Sequence, residues 1–226
     1  MDVDKLQQKV AYGLQKAATV TGVTVTQLRP ATSIMPTTSD AIAQLKCLID
    51  SSASFSGTTP LSWGHKFAYA AIDTTSIETG DYLLVNIDDN IPNLIQDMFF
   101  VARFEPWKPL LIVQTNTTIS FLESDLSTDD SSLGYRPPEG PVWEKDSPIA
   151  SGWRVSMLQA GSSGRSLSHL GTDVSVGTWE ILMPAIPEIT IHQGLRIQDS
   201  SNNCYHVSTV EITTFGLHLT ATADQT

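Results

Sequence analysis

The sequence predicts a mostly β protein: two small barrel- or sandwich-like modules preceded by one amphipathic helix. Three observations predict it. Charged residues are 16% of the 226 residues, against roughly 25% in an ordinary globular chain, and Ser and Thr fill the difference, which favours strands and loops. Short runs of β-branched and aromatic residues recur between turn-forming clusters. A stretch of the first half also returns in the second at a constant offset.

The helix comes first. From Asp2 to Thr19, Val3, Leu6, Val10, Leu14 and Ala17 recur at spacings of three or four, with Lys5, Gln8, Lys9 and Gln15 between them. Asp2 and Asp4 complement the positive end of the helix dipole, and Gly22 stands where it would end. Such a thin apolar stripe must lie on the protein's own β body or on a neighbour. Residues 1–22 are therefore read as a helical arm and 23–122 as the first β module. Val23 and Val25 begin an alternating strand that Arg29-Pro30 and Pro36 interrupt. Ala41 to Ile49 fits a helix turn or an edge strand, and the strand is favoured. Gly57 to Pro60 is a turn. Strands follow at Phe67 to Ile72, Tyr82 to Val85, Phe99 to Phe104 and Leu110 to Phe121, with the Asp/Asn-rich segment Asn86 to Asn93 turning between the second and third of these.

Residues 123–150 differ in character. Asp125, Asp129, Asp130, serine runs and Pro137-Pro138-Glu139-Gly140-Pro141 read as a Pro/acidic linker or long loop, with Tyr135 and Trp143 suited to packing on a surface. Residues 151–226 form the second β module. Lys66 to Ile72 aligns with Glu180 to Ile186, and without gaps Ile77 meets Ile191 and Gly80 meets Gly194, an offset of 114 (194 − 80). Beyond each glycine come a strand, an Asp/Asn turn and an aromatic-led strand (Phe99-Phe100-Val101; Tyr205-His206-Val207). The identities are few, so two unrelated β meanders would also produce the pattern.

A net charge of −11 argues against a surface that binds DNA or anionic lipid by counterion release, though not against an acidic wall along which a duplex slides. The chain holds no apolar run of about 20 residues, the length that spans a bilayer. Met1-Asp2-Val3-Asp4 is too acidic for a signal peptide, so the expected compartment is a cytoplasm. Cys47 and Cys204 are expected to be unlinked thiols, and Asn116-Thr117-Thr118 is a formal glycosylation sequon of little weight without secretion.

Catalytic motifs are missing: no Cys-x-x-Cys, His-Glu-x-x-His, Walker loop or Gly-x-Ser-x-Gly elbow occurs. Gly161-Ser162-Ser163-Gly164-Arg165 lacks the Lys-Ser/Thr pair of a phosphate loop and reads as a hairpin tip. His65, His169, His192, His206 and His218 are scattered; His206 and His218 could lie on adjacent strands, but a metal needs three or more ligands. Asp88-Asp89-Asn90 and Asp125, Ser127, Asp129 and Asp130 depart from EF-hand order and read as solvated turns. Trp63, Trp107, Trp143, Trp153 and Trp179 suit core or interface packing better than a sugar platform, with Trp153 and Trp179 at strand starts plugging barrel ends. No catalytic, cofactor-binding or metal-binding residue is assigned, and no enzyme activity is expected.

Trp153 to Leu158, Trp179 to Ile186, Gly194-Leu195-Arg196-Ile197-Gln198-Asp199, Cys204-Tyr205-His206-Val207 and Gly216 to Ala221 together carry a resemblance. This half of the chain resembles virion proteins of tailed bacteriophages and prophages encoded among head-tail joining genes, and is similar to the small β barrels of head-closure, adaptor and collar components. The helix followed by Leu28-Arg29-Pro30 fits the same set. The pattern in those proteins runs Pro-Gly-Asp, strand, Asp-x-x-Gly turn, Tyr-x-Val strand. Here Leu195 follows Gly194 and the Asp199 turn lacks its glycine, whereas Gly80-Asp81 keeps the expected pair. The resemblance implies a structural protein of the neck, assembled in the bacterial host cytoplasm and resident in the virion. Its partners would be portal, connector and tail components and further copies of itself, in a homo-oligomeric ring or as dimers, with no sequence-specific nucleic-acid binding and no membrane. The acidic linker and the N-terminal helix would be arms ordering on a neighbour. Two further classes stay open: a receptor- or carbohydrate-binding sandwich of the tail or baseplate, and a β-rich hydrolase with an unrecognised carboxylate site.

Overall fold

The computed structural model describes residues 3–38, 41–50, 67–85, 97–105, 108–124, 146–159 and 177–223. They form a helix, α1 (Val3–Thr21), and twelve strands: β1 (Val23–Leu28), β2 (Ala43–Asp50), β3 (Phe67–Ile72), β4 (Tyr82–Val85), β5 (Met98–Arg103), β6 (Leu110–Gln114), β7 (Thr117–Ser124), β8 (Asp146–Gln159), β9 (Thr178–Met183), β10 (Arg196–Asp199), β11 (Cys204–Thr213) and β12 (Gly216–Ala223). The described residues are mostly β with one N-terminal helix, as composition and apolar periodicity predict.

The strands close into two antiparallel barrels of six. In the first the order around the barrel is β1-β2-β3-β6-β5-β4, with β4 returning to β1. The second runs β7-β8-β9-β12-β11-β10, with β10 returning to β7. Adding six to every strand number of the first barrel gives the order of the second. The chain is thus one topology used twice. Closure leaves no sheet edge unpaired, and a barrel of this size is filled by its own side chains.

The offset repeat falls on this duplication. Gly80 and Gly194 share a left-handed conformation (φ 95° and 90°), which glycine adopts without a Cβ penalty. Each glycine N–H donates to the partner strand, Gly80 to Val101 O at 2.8 Å and Gly194 to Val207 O at 2.9 Å, while Val101 N and Val207 N return bonds to Asp81 O and Leu195 O. Ile77 and Ile191 are both buried beneath the turn. Farther upstream the match weakens: Ile72 ends β3, but β9 stops at Met183, where Pro184 removes the next donor, so Ile186 matches Ile72 in burial and not in strand position.

Two expectations need correction. Leu110 to Phe121 is two strands, not one, and they belong to different barrels. Nothing in that run is Gly or Pro, so pattern alone hides the break; hydrogen bonds at Thr115 and Asn116 make it. Consequently the second module begins at Thr117 and not at residue 151, and the segment 123–150 gives Glu123 and Ser124 to β7 and Asp146 to Ala150 to β8. The rest of that linker, with the turns at 57–60 and 86–93, lies outside the described residues.

Helix α1 lies on β2 and β3 of its own barrel. Its inward face is Gln7, Val10, Ala11, Leu14 and Ala18, turned slightly from the expected stripe, so that Ala17 and Leu6 are exposed. Ala18 is fully buried, and Gly22 N donates to Ala18 O at 2.8 Å as the helix ends. A Cβ on Gly22 would lie 2.4 Å from Ala18 O and 2.8 Å from the Cys47 backbone, so close approach demands glycine here. The helix is a cap on the first barrel, not the free arm that the resemblance implies.

Residues of alternate parity divide the first barrel's core. Val25, Cys47, Ala68, Ala70, Leu83, Phe99, Val101, Leu110 and Ile112 fill its interior. The opposite faces of the same strands, with Phe67, Tyr82, Phe100, Ala102 and Val113, are buried in one cluster with the second barrel's Trp153, Leu182, Phe215 and their neighbours. Burial on both sides explains why β5 and β6 read as continuous apolar runs and not as an alternation.

Candidate functional site

The described residues present two places where the fold concentrates polar and close contacts: the seam between the barrels and a groove on the outside of the second.

Two residues, Thr115 and Asn116, carry the chain from β6 of the first barrel to β7 of the second. Thr115, 8% exposed, bonds back to the first barrel through both its N–H and its hydroxyl, each donating to Met98 O at 2.9 Å. Asn116 bonds forward to the second. Its N–H donates to Val155 O at 3.0 Å, its Nδ2 donates to Met157 O at 2.7 Å, and its Oδ1 accepts from Met157 N at 2.8 Å. The side-chain amide thus replaces a rung of the β ladder. The two-residue link is thus bonded at one end to the first barrel and at the other to the second.

Further contacts cross the seam at three places. Tyr82 donates its hydroxyl to Arg154 O at 2.7 Å, and burial holds that phenol well above the ordinary tyrosine pKa. The connection after β1 runs across β8: Met35 N donates to Ser151 O at 2.8 Å, Ser151 N donates to Ser33 O at 3.1 Å, and the indole of fully buried Trp153 donates to Ser33 O at 2.7 Å. At the far end Phe215, in the β11–β12 turn, meets Phe67 edge-on with ring centroids 5.9 Å apart. Trp153 therefore sits in the middle of β8 and not at a strand start; Trp179, second residue of β9, does occupy such a start and meets Tyr205 edge-on.

A polar network holds the Gly80 turn on β1. Asp81, 1% exposed, accepts from Gln27 Nε2 (2.7 Å), Arg29 Nε (2.7 Å), Arg29 Nη2 (2.9 Å) and Glu78 N (2.9 Å). Gln27 and Arg29 also donate to Ser76 O, Ser76 Oγ donates to Gln27 Oε1, and Arg29 Nη1 reaches Glu78. The hydrogen bond and charge of Asp81 raise the Arg29 pKa further above its ordinary value. At the matching place in the second barrel, Leu195 stands for Asp81, and Phe121, opposite Ile197 as Gln27 is opposite Leu83, stands for Gln27. Both are buried. Sequence reading marked Arg29-Pro30 as a break and Gly80-Asp81 as a turn without joining them; the joining signal, Gln27 on β1 and Arg29 just past its end, appears only once β1 is paired with β4.

The groove has a volume of about 340 Å³ and is lined by Ser120, Leu122, Asp146, Pro148, Ser151, Arg196, Gln198 and Cys204. Along β7, β10 and β11 these alternate with the inward Phe121, Ile197 and Tyr205, so the groove lies on the barrel's outer face. Arg196 and Asp146 form an ion pair in its wall, with side chains 11% and 3% exposed. The rest of the lining mixes hydroxyl, amide and thiol groups with the apolar Leu122 and Pro148. Nearby, the turn after β10 is built on Asp199, whose carboxylate accepts from Ser201 N, Asn203 N, Asn203 Nδ2 and Tyr205 Oη. Burial works to raise that carboxyl, but these bonds outweigh it and hold it below its ordinary pKa. Asn202, with φ 64°, supplies the left-handed residue that the missing glycine would have given.

His206 and His218 do lie on neighbouring strands, but the register separates them: His206 is opposite Thr222, and His218 is opposite Glu211, 3.5 Å from its carboxylate. Among the described residues no group of three or more His, Cys, Asp or Glu gathers around a point. Cys47 and Cys204 are unlinked, and burial pushes the Cys47 thiol up to about 12. His65, His169, Gly161 to Arg165, Asp88 to Asn90, Asp125 to Asp130, Trp63, Trp107 and Trp143 lie outside the described residues. No described helix is long and apolar enough to cross a membrane. Comparison with family models, curated proteins and solved structures finds no match.

Proposed function

We propose that the chain is a non-enzymatic structural component of a tailed-phage virion at the head-tail junction, working through protein-protein interfaces as one copy in a homo-oligomeric neck assembly. The observation that carries the reading is the joint at Thr115-Asn116, hydrogen-bonded into both barrels. A protein whose function is to hold neighbours at fixed positions needs lobes that do not swing, whereas linked domains ordinarily move unless their shared interface is large and apolar. Here the apolar seam, the strap from Ser33 to Met35 and the hydrogen-bonded link act together. The turn-and-strand grammar shared with head-closure, adaptor and collar barrels supports the same reading.

The groove beside Arg196 favours a second reading, a receptor- or carbohydrate-binding module of the tail or baseplate, since polar side chains around a buried ion pair suit a neutral sugar. One experiment separates the two. Gold-labelled copies imaged on purified particles are expected at the neck, between head and tail. Label at the distal tail, with glycan-array binding by the purified chain that Gln198→Ala abolishes, would replace the neck reading with the second; particles without label would remove both.

A further inference from the structure

The solvent side of α1 differs in charge from the rest of the molecule. At 100° per residue, Lys5, Lys9, Tyr12, Lys16 and Val20 form one stripe opposite the inward Ala11, Leu14 and Ala18, and all five are exposed. Tyr12 is 64% and Val20 76% exposed, and Val23 continues the apolar surface past the helix end. The helix holds three lysines against Asp4, a net +2, which leaves −13 for the rest of a chain of net −11. A basic stripe with an aromatic and an aliphatic side chain set into it is thus presented by a chain whose remaining residues carry a net −13.

We infer that this face of α1 docks onto the acidic surface of a second copy of the chain, head to tail. The inference rests on the reading of the chain as a self-assembling component and says which face makes the contact. Unlike surfaces meet in such a contact, so repetition closes a ring when the rotation permits. Complementary charge steers the encounter and fixes its register, while Tyr12 and Val20 supply the desolvated centre. A helix of 19 residues is about 28 Å long, and a face about 10 Å wide offers about 300 Å², well under the roughly 800 Å² per partner of a stable pairwise interface. A single contact is therefore weak and salt-sensitive, and stability comes from ring closure, in which each copy is held on two sides.

Sedimentation velocity of the full chain tests this. At about 20 mM salt the sedimentation coefficient should rise with concentration, and at about 0.5 M salt, where exposed charges are screened, association should weaken by about tenfold or more. Lys5→Glu/Lys9→Glu/Lys16→Glu should remain monomeric at low salt, and Tyr12→Ser/Val20→Ser should weaken association in both. All five positions are exposed, and unchanged circular dichroism would confirm folding. A wild type that is monomeric under every condition overturns the inference. So does association that the triple variant leaves intact, although that result keeps the oligomeric reading and moves the contact elsewhere. Retention of duplex DNA by the wild type and not by the triple variant would assign the face to phosphate and also overturn it. Incorporation into particles, scored separately, tells a failure of this contact from a failure of the virion reading.

Discussion

The two barrels share strand order, a left-handed glycine at one turn and a buried isoleucine beneath it, yet they secure that turn by opposite chemistry. In the first, buried Asp81 and Gln27 join half-buried Arg29 in a hydrogen-bonded network; in the second, Leu195 and Phe121 fill the equivalent space. The difference teaches that the topology does not depend on either solution. What the polar version adds is direction: Arg29 ties β1 to Ser76, Glu78 and Asp81 in a single geometry. A buried apolar cluster tolerates small shifts that such a network does not. Burial on both strand faces is common to the two barrels: Met98 to Ala102 of β5 in the first and Ile181 to Met183 of β9 in the second are buried without alternation.

The largest expected effect breaks the polar version. Asp81→Ala removes the carboxylate that Gln27 and Arg29 share, leaving them Ser76 O and Glu78 alone, and should cost about 3 kcal/mol, read by chemical denaturation, with amide exchange rising first in β1 and β4. Leu195→Ala, its counterpart, should cost about 3 kcal/mol by cavity formation, with exchange rising in β10 and β11 instead. The charge-bearing swap is asymmetric: Leu195→Asp buries a carboxylate with no arginine to meet it and should be worse than Leu195→Ala. Gly80→Ala and Gly194→Ala sharpen the likeness. A Cβ at either meets nothing closer than 3.6 Å, so each should lose only the conformational cost of a left-handed residue, about 1–2 kcal/mol, and the two losses should agree. Unequal losses would mean that the turns are not equivalent.

Tyr82→Phe, which removes one bond across the seam, should cost about 1 kcal/mol in thermal unfolding and leave each barrel's own exchange pattern unchanged. Alkaline pH compares the barrels at no cost near neutrality. Burial pushes the Cys47 thiol from 9.0 up to about 12 in the first barrel; in the second, burial first and then the Asp199 carboxylate push the Tyr205 phenol from 10.0 up to about 12. Both folded values exceed the unfolded ones, so stability is intact below the ordinary pKa and is lost as pH rises toward about 12. Loss should begin just above pH 9 in the wild type and about one unit higher in Cys47→Ala, followed by fluorescence-detected melting.

Much of this architecture was legible. Strands β3 and β4 fall where alternation and turn residues put them, and the Gly80/Gly194 offset marked the duplication. The module boundary was not legible, because Leu110 to Phe121 carries no Gly or Pro and the break at Asn116 is made by a side-chain amide bonding to β8, which lies some forty residues on. The functional features are non-local too: Arg29 with Asp81, and Arg196 with Asp146, are each about fifty residues apart. The helix periodicity identified α1 but not which way it would turn, since the inward stripe admits Gln7 and Ala18 according to the surface of β2 and β3.

The most direct test is the distance between the barrels. Spin labels at Lys46→Cys on β2 and Glu211→Cys on β11, both exposed positions, in a Cys204→Ser background, report it by dipolar spectroscopy. A single narrow distribution, unchanged by salt and broadened by Asn116→Ala, is the result predicted for barrels that move as one body. A broad or multiple distribution in the otherwise native chain would contradict it, and with it the case for a rigid spacer.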